Sequence, residues 1–275
     1  MWTTHNRKRY DRSRLRYPSD LTDDEWALVA PLIPPAKRGG AKRTVDVREV
    51  MNGIMYILST GCQWRALPKD LPPRSTVHDY LDLWSYDGTL DRIHHALYGA
   101  CREQSEREAS PTAAIIDSQS VKSAEKGGLA SIRMAMMRVK GKKRHVLVDT
   151  LGLLLHAIVH PADMQDRDGG ILLLATLFGM YPFLQTLFAD AGYQGPQFHN
   201  GLRTILPHVE AQIVKRSDQK GFAVLPKRWI VERTLAWLNR CRRLAKDWEN
   251  LNHKALAFLR LASIRLMLRK LCNPV

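Results

Sequence analysis

Ala114-Ile115-Ile116-Asp117-Ser118 is a short apolar run that ends at a carboxylate. Such a run, bounded by polar residues, is typical of a buried β-strand. The same pattern returns in Leu187-Phe188-Ala189-Asp190, after which Gly192 permits a sharp turn. If the two strands are neighbours, Asp117 and Asp190 meet at the rim of one sheet. For either aspartate alone, the common alternative is a residue that caps the turn after a strand.

Further apolar runs predict a mixed sheet within residues 111–271. The predicted strands are Ala113–Ile116, His145–Val148, Leu153–Val159, Leu184–Ala189 and Ala211–Val214. A helical stretch, Asp168–Met180, separates the third run from the fourth, and the chain reads as helical from residue 215 to near its end. Three antiparallel strands followed by parallel crossovers form a mixed sheet covered by helices. The predicted fold class is therefore α/β.

Residues 20–103 predict a small all-helical domain. Thr22 and Glu25 have the spacing of a capping box, a second helix runs from about Val47 to Ser59 and is stopped by Gly61, and a further stretch runs from Ser75 to Cys101. Helices with basic connecting loops are typical both of DNA-binding domains and of plain bundles, and the charge of the chain favours DNA. Residues 1–19 form a basic arm that we expect to be disordered. The arm could contact DNA or be an extension without function.

Glu232 lies in a predicted helix with a divided surface. Ile230, Thr234, Trp237, Cys241, Leu244 and Trp248 form a largely apolar stripe, and Arg228, Glu232, Asn239 and Arg243 lie opposite. The polar face could meet a metal ion and a phosphate. The alternative is a solvated face with an Arg228–Glu232 ion pair.

The net charge of +15 and the isoelectric point of about 9.9 favour a polyanionic partner. Solubility alone is the weaker alternative. The four cysteines stand far apart, no apolar run reaches the length of a spanning helix, and no phosphate-binding loop of the Gly-Lys-Ser/Thr type is present. The sequence thus predicts a cytoplasmic protein with no membrane segment, no cysteine zinc site and no use of ATP.

Three carboxylates gathered in space suit a pair of hard divalent cations. Mg²⁺ prefers oxygen ligands, and two such ions about 3.5–4 Å apart can activate a nucleophile and stabilise the leaving oxygen of a phosphodiester. Asp117, Asp190 and Glu232 are the candidate ligands, and the basic surround indicates that the substrate is DNA. The candidate DNA contacts are Trp64, Arg65, Lys142, Lys143, Arg144, Arg228, Arg240 and Arg243. Solvated or structural roles are the alternatives for this set.

The chain resembles bacterial insertion-sequence transposases of the Asp-Asp-Glu type, in the family numbered five. The resemblance covers about Tyr17 to Leu271. It rests on Tyr17–Trp26, Gly61-Cys62-Gln63-Trp64-Arg65-Ala66-Leu67-Pro68, Ile116–Lys122, Gly141–Thr150, Ala189-Asp190-Ala191-Gly192-Tyr193 and Arg228-Trp229-Ile230-Val231-Glu232-Arg233-Thr234 with its continuation to Leu244. Together these motifs are highly specific.

The resemblance implies a ribonuclease-H-like catalytic domain over residues 111–271. It implies that Asp117, Asp190 and Glu232 are the catalytic residues, with two Mg²⁺ or Mn²⁺ ions as cofactor. It also implies binding to the terminal inverted repeats of the element and to target DNA, at the bacterial nucleoid. Because two DNA ends need two active sites, we expect a homodimer or a larger assembly on DNA.

One segment, Leu129–Arg138, departs from the family pattern, because relatives carry a glycine- and lysine-rich stretch there. A compensated pair of frameshifts in the coding DNA is our hypothesis for this change. The alternative function is therefore a catalytically impaired relic that acts only as a DNA-binding protein or as a repressor of transposition.

Overall fold

One group of helices precedes a mixed β-sheet in the chain, and later helices cover the sheet. The protein is described here by a computed structural model, which covers residues 10–36, 42–124, 141–177, 179–214 and 227–273, together with Arg7 and Gly39. The elements are α1 (Asp23–Val29), α2 (Val47–Thr60), α3 (Arg74–Tyr86), α4 (Thr89–Glu103), β1 (Ala113–Val121), β2 (Lys142–Asp149), β3 (Leu154–Pro161), α5 (Asp166–Ala175), β4 (Thr186–Asp190), α6 (Pro196–Ile205), β5 (Glu210–Val214), α7 (Arg228–Leu238) and α8 (Asn252–Cys272). The atypical segment Leu129–Arg138 lies outside the described residues.

The sheet has the strand order β3-β2-β1-β4-β5. Strands β1, β2 and β3 pair in antiparallel fashion, and β4 and β5 add to β1 in parallel through helical crossovers. This arrangement confirms the predicted α/β class, with its ribonuclease-H-like mixed sheet, flanking helices and preceding helical region. The carboxyl ends of neighbouring parallel strands lie at the same rim of a sheet. Polar residues that follow such strands are therefore exposed together at that rim.

The prediction that β1 ends at Ile116 is wrong. Strand β1 continues to Val121, because β2 pairs with it as far as the Val121–Lys142 pair. Strand β4, on the other side, ends at Asp190. Asp117 is therefore held inside a strand rather than in a flexible turn, although the ladder to β4 stops near it.

The helical region contains the predicted signals. The Thr22 hydroxyl accepts a hydrogen bond from the backbone of Glu25, whose carboxylate accepts one from Thr22 in return, so the capping box of α1 is confirmed. Gly61 ends α2 in the left-handed conformation, with φ of +67°. The predicted continuous stretch from Ser75 to Cys101 is instead two helices, because Gly88 also adopts a positive φ, of +75°.

The basic arm is ordered where it is described. Arg12 forms an ion pair with the buried Glu25 at 2.8 Å, and Arg16 pairs with Glu49 at 2.7 Å. Because buried or half-buried carboxylates hold these two cations, the predicted disorder is wrong for residues 10–19, and Arg12 and Arg16 are engaged in intramolecular ion pairs.

The C-terminal helix joins the helical region to the sheet. The predicted helix around Glu232 does not reach Trp248, because α7 ends at Leu238 and is followed by a short 3-10 helix at Arg242–Leu244 and by irregular backbone up to α8. Helix α8 then packs against both α4 and β3, and its Ser263 hydroxyl lies 3.0 Å from His94 Nε2 of α4. Apolar side chains of both regions belong to one hydrophobic core. The division into domains at residues 103 and 111 stays a prediction.

A buried ion pair also links the two regions. Arg102 Nη1 of α4 lies 2.5 Å from Asp149 Oδ2 at the end of β2, and the two side chains are 7% and 0% exposed. The Tyr98 hydroxyl donates a further hydrogen bond to the same carboxylate. Asp149 Oδ1 accepts the backbone N–H groups of Leu151 and Leu153, so one carboxylate also shapes the β2–β3 turn.

We expect Asp149→Ala to lower the free energy of unfolding by about 3–5 kcal/mol, because it leaves the Arg102 charge buried and unpaired. Urea unfolding followed by circular dichroism measures this change. The double variant Arg102→Met/Asp149→Leu should recover part of the loss, since neither charge is then buried. Asp23→Ala is the matched control, because it breaks the exposed Asp23–Arg48 pair and should cost less than about 1 kcal/mol. Equal losses in Asp149→Ala and Asp23→Ala would contradict the assignment.

Candidate active site

The parallel pairing of β1 with β4 brings the two predicted aspartates together. Its register pairs Ala114 with Leu187 and Ile115 with Phe188. Two residues further along each strand, this register reaches Asp117 and Asp190. Both side chains line one small cleft, together with Arg228 and with apolar residues of β1, β4 and β5. Each aspartate is also fixed locally, since the backbone N–H of Ser118 donates to Asp117 Oδ1 and that of Gly192 donates to Asp190 Oδ1.

Arg228 connects the aspartates to the third predicted carboxylate. It is the first residue of α7, and its guanidinium lies 3.6 Å from Asp190 Oδ2 and 3.0 Å from Glu232 Oε1. The second distance is the i,i+4 pair that the sequence offered as an alternative role for Glu232. Because the same arginine also meets Asp190, this pair lies at the cleft and not on a remote helix face. The Glu232 side chain remains 56% exposed.

The electrostatics of the cleft show crowding of negative charge. The pKa of Asp117 is raised to about 6, chiefly by burial and also by the charges of Asp190 and Glu232, while the hydrogen bond from Ser118 and the positive charge of Arg228 lower it. A carboxylate in such a place is stabilised in its ionised form by any cation that enters. Among the described residues that line the cleft, Arg228 is the cation.

Asp166 is a neighbour of the cleft that the sequence did not single out. Its Oδ1 accepts hydrogen bonds from the Ser118 hydroxyl at 2.7 Å and from Lys143 Nζ at 2.9 Å. A Cβ atom placed on Gly192 would lie 2.9 Å from Asp190 Oδ1 and 3.3 Å from Asp166 Oδ2, so both carboxylates converge on this glycine. Asp166 could have been identified from the sequence by its position in the first turn of a helix that directly follows β3.

Two buried groups support this side of the cleft. Tyr193 is 1% exposed, and its ring packs edge-on against those of His145 and Phe198. Burial raises the pKa of Tyr193, as do the charges of Asp117, Asp166 and Asp190. His145 packs behind Asp166, with its Nε2 3.1 Å from the Asp166 backbone oxygen and its Nδ1 2.7 Å from His160 Nε2. These contacts fix the start of α5 beside the aspartates.

Two of the three predicted DNA contacts on β2, Lys142 and Arg144, are engaged in the protein interior. Lys142 pairs with Asp247 at 3.3 Å, and Arg144 donates to the Leu244 backbone oxygen at 2.9 Å. The side chains of both residues are buried. Lys143 is held by Asp166. The structure therefore does not present this strand as a strip of free cations.

The remaining predicted contacts separate into buried and exposed residues. Arg243 is buried, pairs with Glu249 and donates to the Cys62 backbone oxygen. Trp64 packs edge-on against His78 at a ring distance of 5.0 Å, which is the anchoring role. Arg65 and Arg240 are exposed. Only Arg228 of the predicted DNA contacts lies in the cleft with the carboxylates.

A divalent cation fits the donor set of this cleft in part. Asp117 and Asp190 present carboxylate oxygens on adjacent strands, and the pKa of Asp117 is raised by burial and by the charges of Asp190 and Glu232. Among the described residues, however, no three His, Cys, Asp or Glu side chains are arranged as a metal site. The Glu232 carboxylate pairs with Arg228 at 3.0 Å. The two aspartates suit a hard cation as they stand, and Glu232 would join them only after it leaves the arginine.

Comparison with known proteins adds two family profiles. The profile described as "Transposase DDE domain" matches residues 108–267, which is more than half of the chain. The profile described as "Putative transposase of IS4/5 family" matches residues 21–94. The first match contains all three carboxylates, and the second contains α1 to α3 and the loop with Trp64.

Two proteins of Burkholderia cepacia are similar to this chain. The "Insertion element IS402 uncharacterized 16.2 kDa protein" is 32% identical over 114 residues, which are 39% of this chain and 76% of that protein. The "Putative transposase for insertion sequence element IS402" is 32% identical over 132 residues, which are 44% of this chain and 60% of that protein. No solved structure matches the chain.

We expect Asp117→Asn to stabilise the protein near pH 7.5, in the absence of divalent cations, by on the order of 1–3 kcal/mol. The native pKa of about 6 lies above the ordinary value of 3.8. Between these values the native state binds more protons than the unfolded state, so wild-type stability falls as the pH rises through this window. Below the ordinary value both states are protonated and the variant gains nothing.

Urea unfolding at pH 4 and pH 7.5 in EDTA measures this difference. Asp79→Asn is the control, because Asp79 is 80% exposed and its replacement should change stability equally little at both pH values. An Asp117→Asn variant that is less stable than the wild type at pH 7.5 would show that Asp117 acts as a stabilising structural aspartate.

Proposed function

Because the chain belongs to the family of insertion-sequence transposases with a DDE domain, we propose that it binds the terminal inverted repeats of its element and catalyses metal-dependent cleavage and strand transfer of DNA. The chain spans 60% of the length of the curated transposase that it matches. We expect it to act in the bacterial cytoplasm at the nucleoid. Among the described helices, none is long and apolar enough to cross a membrane.

The observation that carries the proposal is the convergence of Asp117, Asp190 and Glu232 on one arginine-bridged cleft. The parallel pairing of β1 with β4 places Asp117 beside Asp190, and α7 carries Glu232, which shares Arg228 with Asp190. A structural role for any one of these residues would not require the other two. Crowded carboxylates that raise a pKa are costly for stability, and such arrangements are concentrated at functional sites.

We propose that Asp117, Asp190 and Glu232 hold two Mg²⁺ or Mn²⁺ ions. When bound, such ions supply the charge that makes water or a 3′-hydroxyl nucleophilic and that stabilises the leaving oxygen. The protein contributes the rigid placement of both aspartates by their backbone hydrogen bonds. Asp166 would hold Ser118 and Lys143 next to the aspartates, so that Lys143 remains close to the bound phosphodiester without occupying its place.

Arg228 has two roles in this proposal. Without DNA it neutralises Asp190 and Glu232, which lowers the repulsion in the cleft. A guanidinium binds a phosphate through two parallel hydrogen bonds. When the scissile phosphate arrives, Arg228 would exchange its carboxylate partners for phosphate oxygens, and Glu232 would become free to act as a ligand.

The helical region and the exposed cations are the proposed DNA-binding surfaces. Each phosphate that a cation neutralises releases condensed counterions, so a chain with a net charge of +15 gains affinity from many weak contacts. Arg65 and Arg240 remain exposed for this purpose. Processing of two DNA ends requires two active sites, and we therefore propose a dimer or a larger assembly on DNA.

We expect the wild-type protein to nick a labelled duplex that carries the element's own terminal repeat, with Mg²⁺ or Mn²⁺ and not with EDTA. Asp117→Asn should lower the cleavage rate by at least about 100-fold, a typical minimum loss when charge stabilisation of the transition state is removed. Its affinity for the duplex should stay within about twofold, since one altered carboxylate removes no phosphate contact. Gel electrophoresis and fluorescence anisotropy measure the two quantities.

Asp168→Asn is the matched control for this experiment. Asp168 lies on α5 near the cleft, but its carboxylate accepts a hydrogen bond from Gln197, so cleavage should be retained. Loss of binding together with cleavage in Asp117→Asn would contradict a catalytic role. Tight binding of the repeat by the wild type with no cleavage in either metal would favour the alternative function, a non-catalytic DNA-binding protein or repressor.

Metal binding has a readout that does not need activity. We expect Mn²⁺ to raise the thermal unfolding midpoint of the wild type, because a ligand at ten times its Kd stabilises the native state by about 1.4 kcal/mol. Asp190→Asn should remove most of this shift, whereas Asp168→Asn should keep it. Differential scanning calorimetry in Mn²⁺ and in EDTA measures the midpoints. An equal shift in the wild type and Asp190→Asn would place the bound ion elsewhere.

A further inference from the structure

We propose that two copies of this chain associate through the helical region, each inserting Tyr86 into a cavity of the other. The cavity lies between α4, β3 and α8 and is called the α4–β3 cavity below. The inference deepens the proposed function, because it gives the proposed dimer a specific interface. That interface needs neither DNA nor a metal ion to form.

Tyr86 projects from the end of α3. It is the last residue of that helix and is 93% exposed. Leu83 lies one turn earlier on the same face of α3 and is 39% exposed. The turn that follows is held by Asp87, whose carboxylate accepts hydrogen bonds from the backbone N–H and the hydroxyl of Thr89. An aromatic side chain on a fixed turn presents a large apolar area to a partner.

The chain around Tyr86 differs in charge from the rest of the protein. Residues 75–91 contain four aspartates and no lysine or arginine, although the whole chain has a net charge of +15. Phosphates are repelled by such a stretch, so DNA is a poor partner for Tyr86. A basic protein is a better one. In a second copy, the exposed Arg92 lines the cavity that would receive Tyr86 and its neighbouring aspartates.

The α4–β3 cavity suits the ring of a tyrosine. Its volume is about 470 Å³, which is within the range of ligand-binding pockets and more than one aromatic side chain requires. Met180 lines the cavity and is 44% exposed, so apolar surface continues from the cavity to solvent. The apolar lining residues are Leu32, Ala96, Leu154, Leu155, Ala157, Met180 and Leu256.

His156 offers a partner for the phenol hydroxyl. It lines the same cavity, and burial, followed by the positive charge of Arg260, lowers its pKa to about 4. The imidazole is therefore neutral near pH 7 and keeps one ring nitrogen as a hydrogen-bond acceptor. A tyrosine that becomes buried needs such an acceptor for its hydroxyl. The cavity thus combines apolar walls with one polar group, as a tyrosine side chain combines a ring with a hydroxyl.

The positions of Tyr86 and the cavity suit two-fold symmetry. Helix α4 begins three residues after Tyr86, and Arg92, His95 and Ala96 in its first two turns line the cavity. In a two-fold dimer the same patch of both copies meets, so both tyrosines are inserted at once and the contact closes at two copies. An interface this small is weak by itself, and simultaneous binding of two DNA ends would strengthen the assembly.

Sedimentation velocity in EDTA and without DNA, at protein concentrations from about 1 to 100 µM, measures the association. Tyr86→Ser should weaken it by at least about 100-fold, because each copy loses a buried tyrosine that is worth about tenfold or more. Tyr86→Phe should keep most of the affinity, because it keeps the ring. Trp248→Ser is the matched control, since Trp248 is an aromatic residue that is 42% exposed but lies neither on α3 nor in the cavity.

A mixture of two variants tests the insertion itself. Ala96 is an exposed residue of the cavity lining, so Ala96→Trp should fill the entrance and prevent association. An equal mixture of Ala96→Trp and Tyr86→Ser should recover part of the association, although neither variant associates alone. In the mixed dimer, Tyr86 of the first variant enters the open cavity of the second. Native mass spectrometry identifies this dimer, and its formation also shows that both variants are folded.

Several results would overturn the interface. These are a wild type that stays monomeric at about 100 µM, a Tyr86→Ser variant that associates like the wild type, equal losses in Tyr86→Ser and Trp248→Ser, and a mixture that shows no recovery. The proposed function is tested separately, by nicking of the terminal repeat. A monomeric wild type that nicks the repeat would overturn the interface alone. A dimer that depends on Tyr86 but nicks the repeat with neither metal would overturn the proposed function alone.

Discussion

Repulsion between carboxylates is the constraint around which this structure is organised. The parallel pairing of β1 with β4 aligns Asp117 with Asp190, and α7 adds Glu232. Burial is the main cause of the raised pKa of Asp117, and the charges of Asp190 and Glu232 add to it, because like charges held close disfavour their own ionised forms. Arg228 relieves the repulsion from the first turn of α7. A cleft of this kind favours the binding of cations but lowers the stability of the folded protein, which is common at functional sites.

The rest of the molecule holds this unfavourable cluster in place. One continuous core joins the helical region, the sheet and α8, and the Arg102–Asp149 pair connects α4 to the end of β2. Several lysine and arginine side chains contribute to this packing through buried ion pairs. Lys142, Arg144 and Arg243 are buried against residues 244–249, so the number of lysines and arginines overstates the charge that DNA would meet.

Local pattern was sufficient to predict most of the elements, but not which residues they contact. The capping box at Thr22 and the apolar runs of the strands depend on neighbours in sequence, and both are confirmed. The extension of β1 to Val121 depends on its pairing with β2, which residues 113–116 do not encode. The burial of Arg144 depends on Leu244, one hundred residues away. Asp166 was missed for the same reason, because its relation to Ser118 exists only in the folded sheet.

The approach of Asp117 to Asp190 was predictable, because both follow apolar runs that read as strands. The role of Arg228 was less so. The sequence shows that Arg228 is four residues from Glu232, but it does not show that Asp190 lies within 3.6 Å of the same guanidinium. Nor does helical spacing alone distinguish an exposed Tyr86 from a core aromatic residue, since exposure depends on what packs against α3.

We propose that Asp117 and Asp190 form a cation site from which Arg228 withdraws when DNA binds. Anomalous diffraction from crystals grown with Mn²⁺ and a short DNA end is the decisive measurement. We expect anomalous density between the Asp117 and Asp190 carboxylates, with Glu232 turned towards the density and Arg228 turned towards phosphate. Bound DNA with no density at this cleft, and with the Arg228 contacts to Asp190 and Glu232 intact, would contradict it.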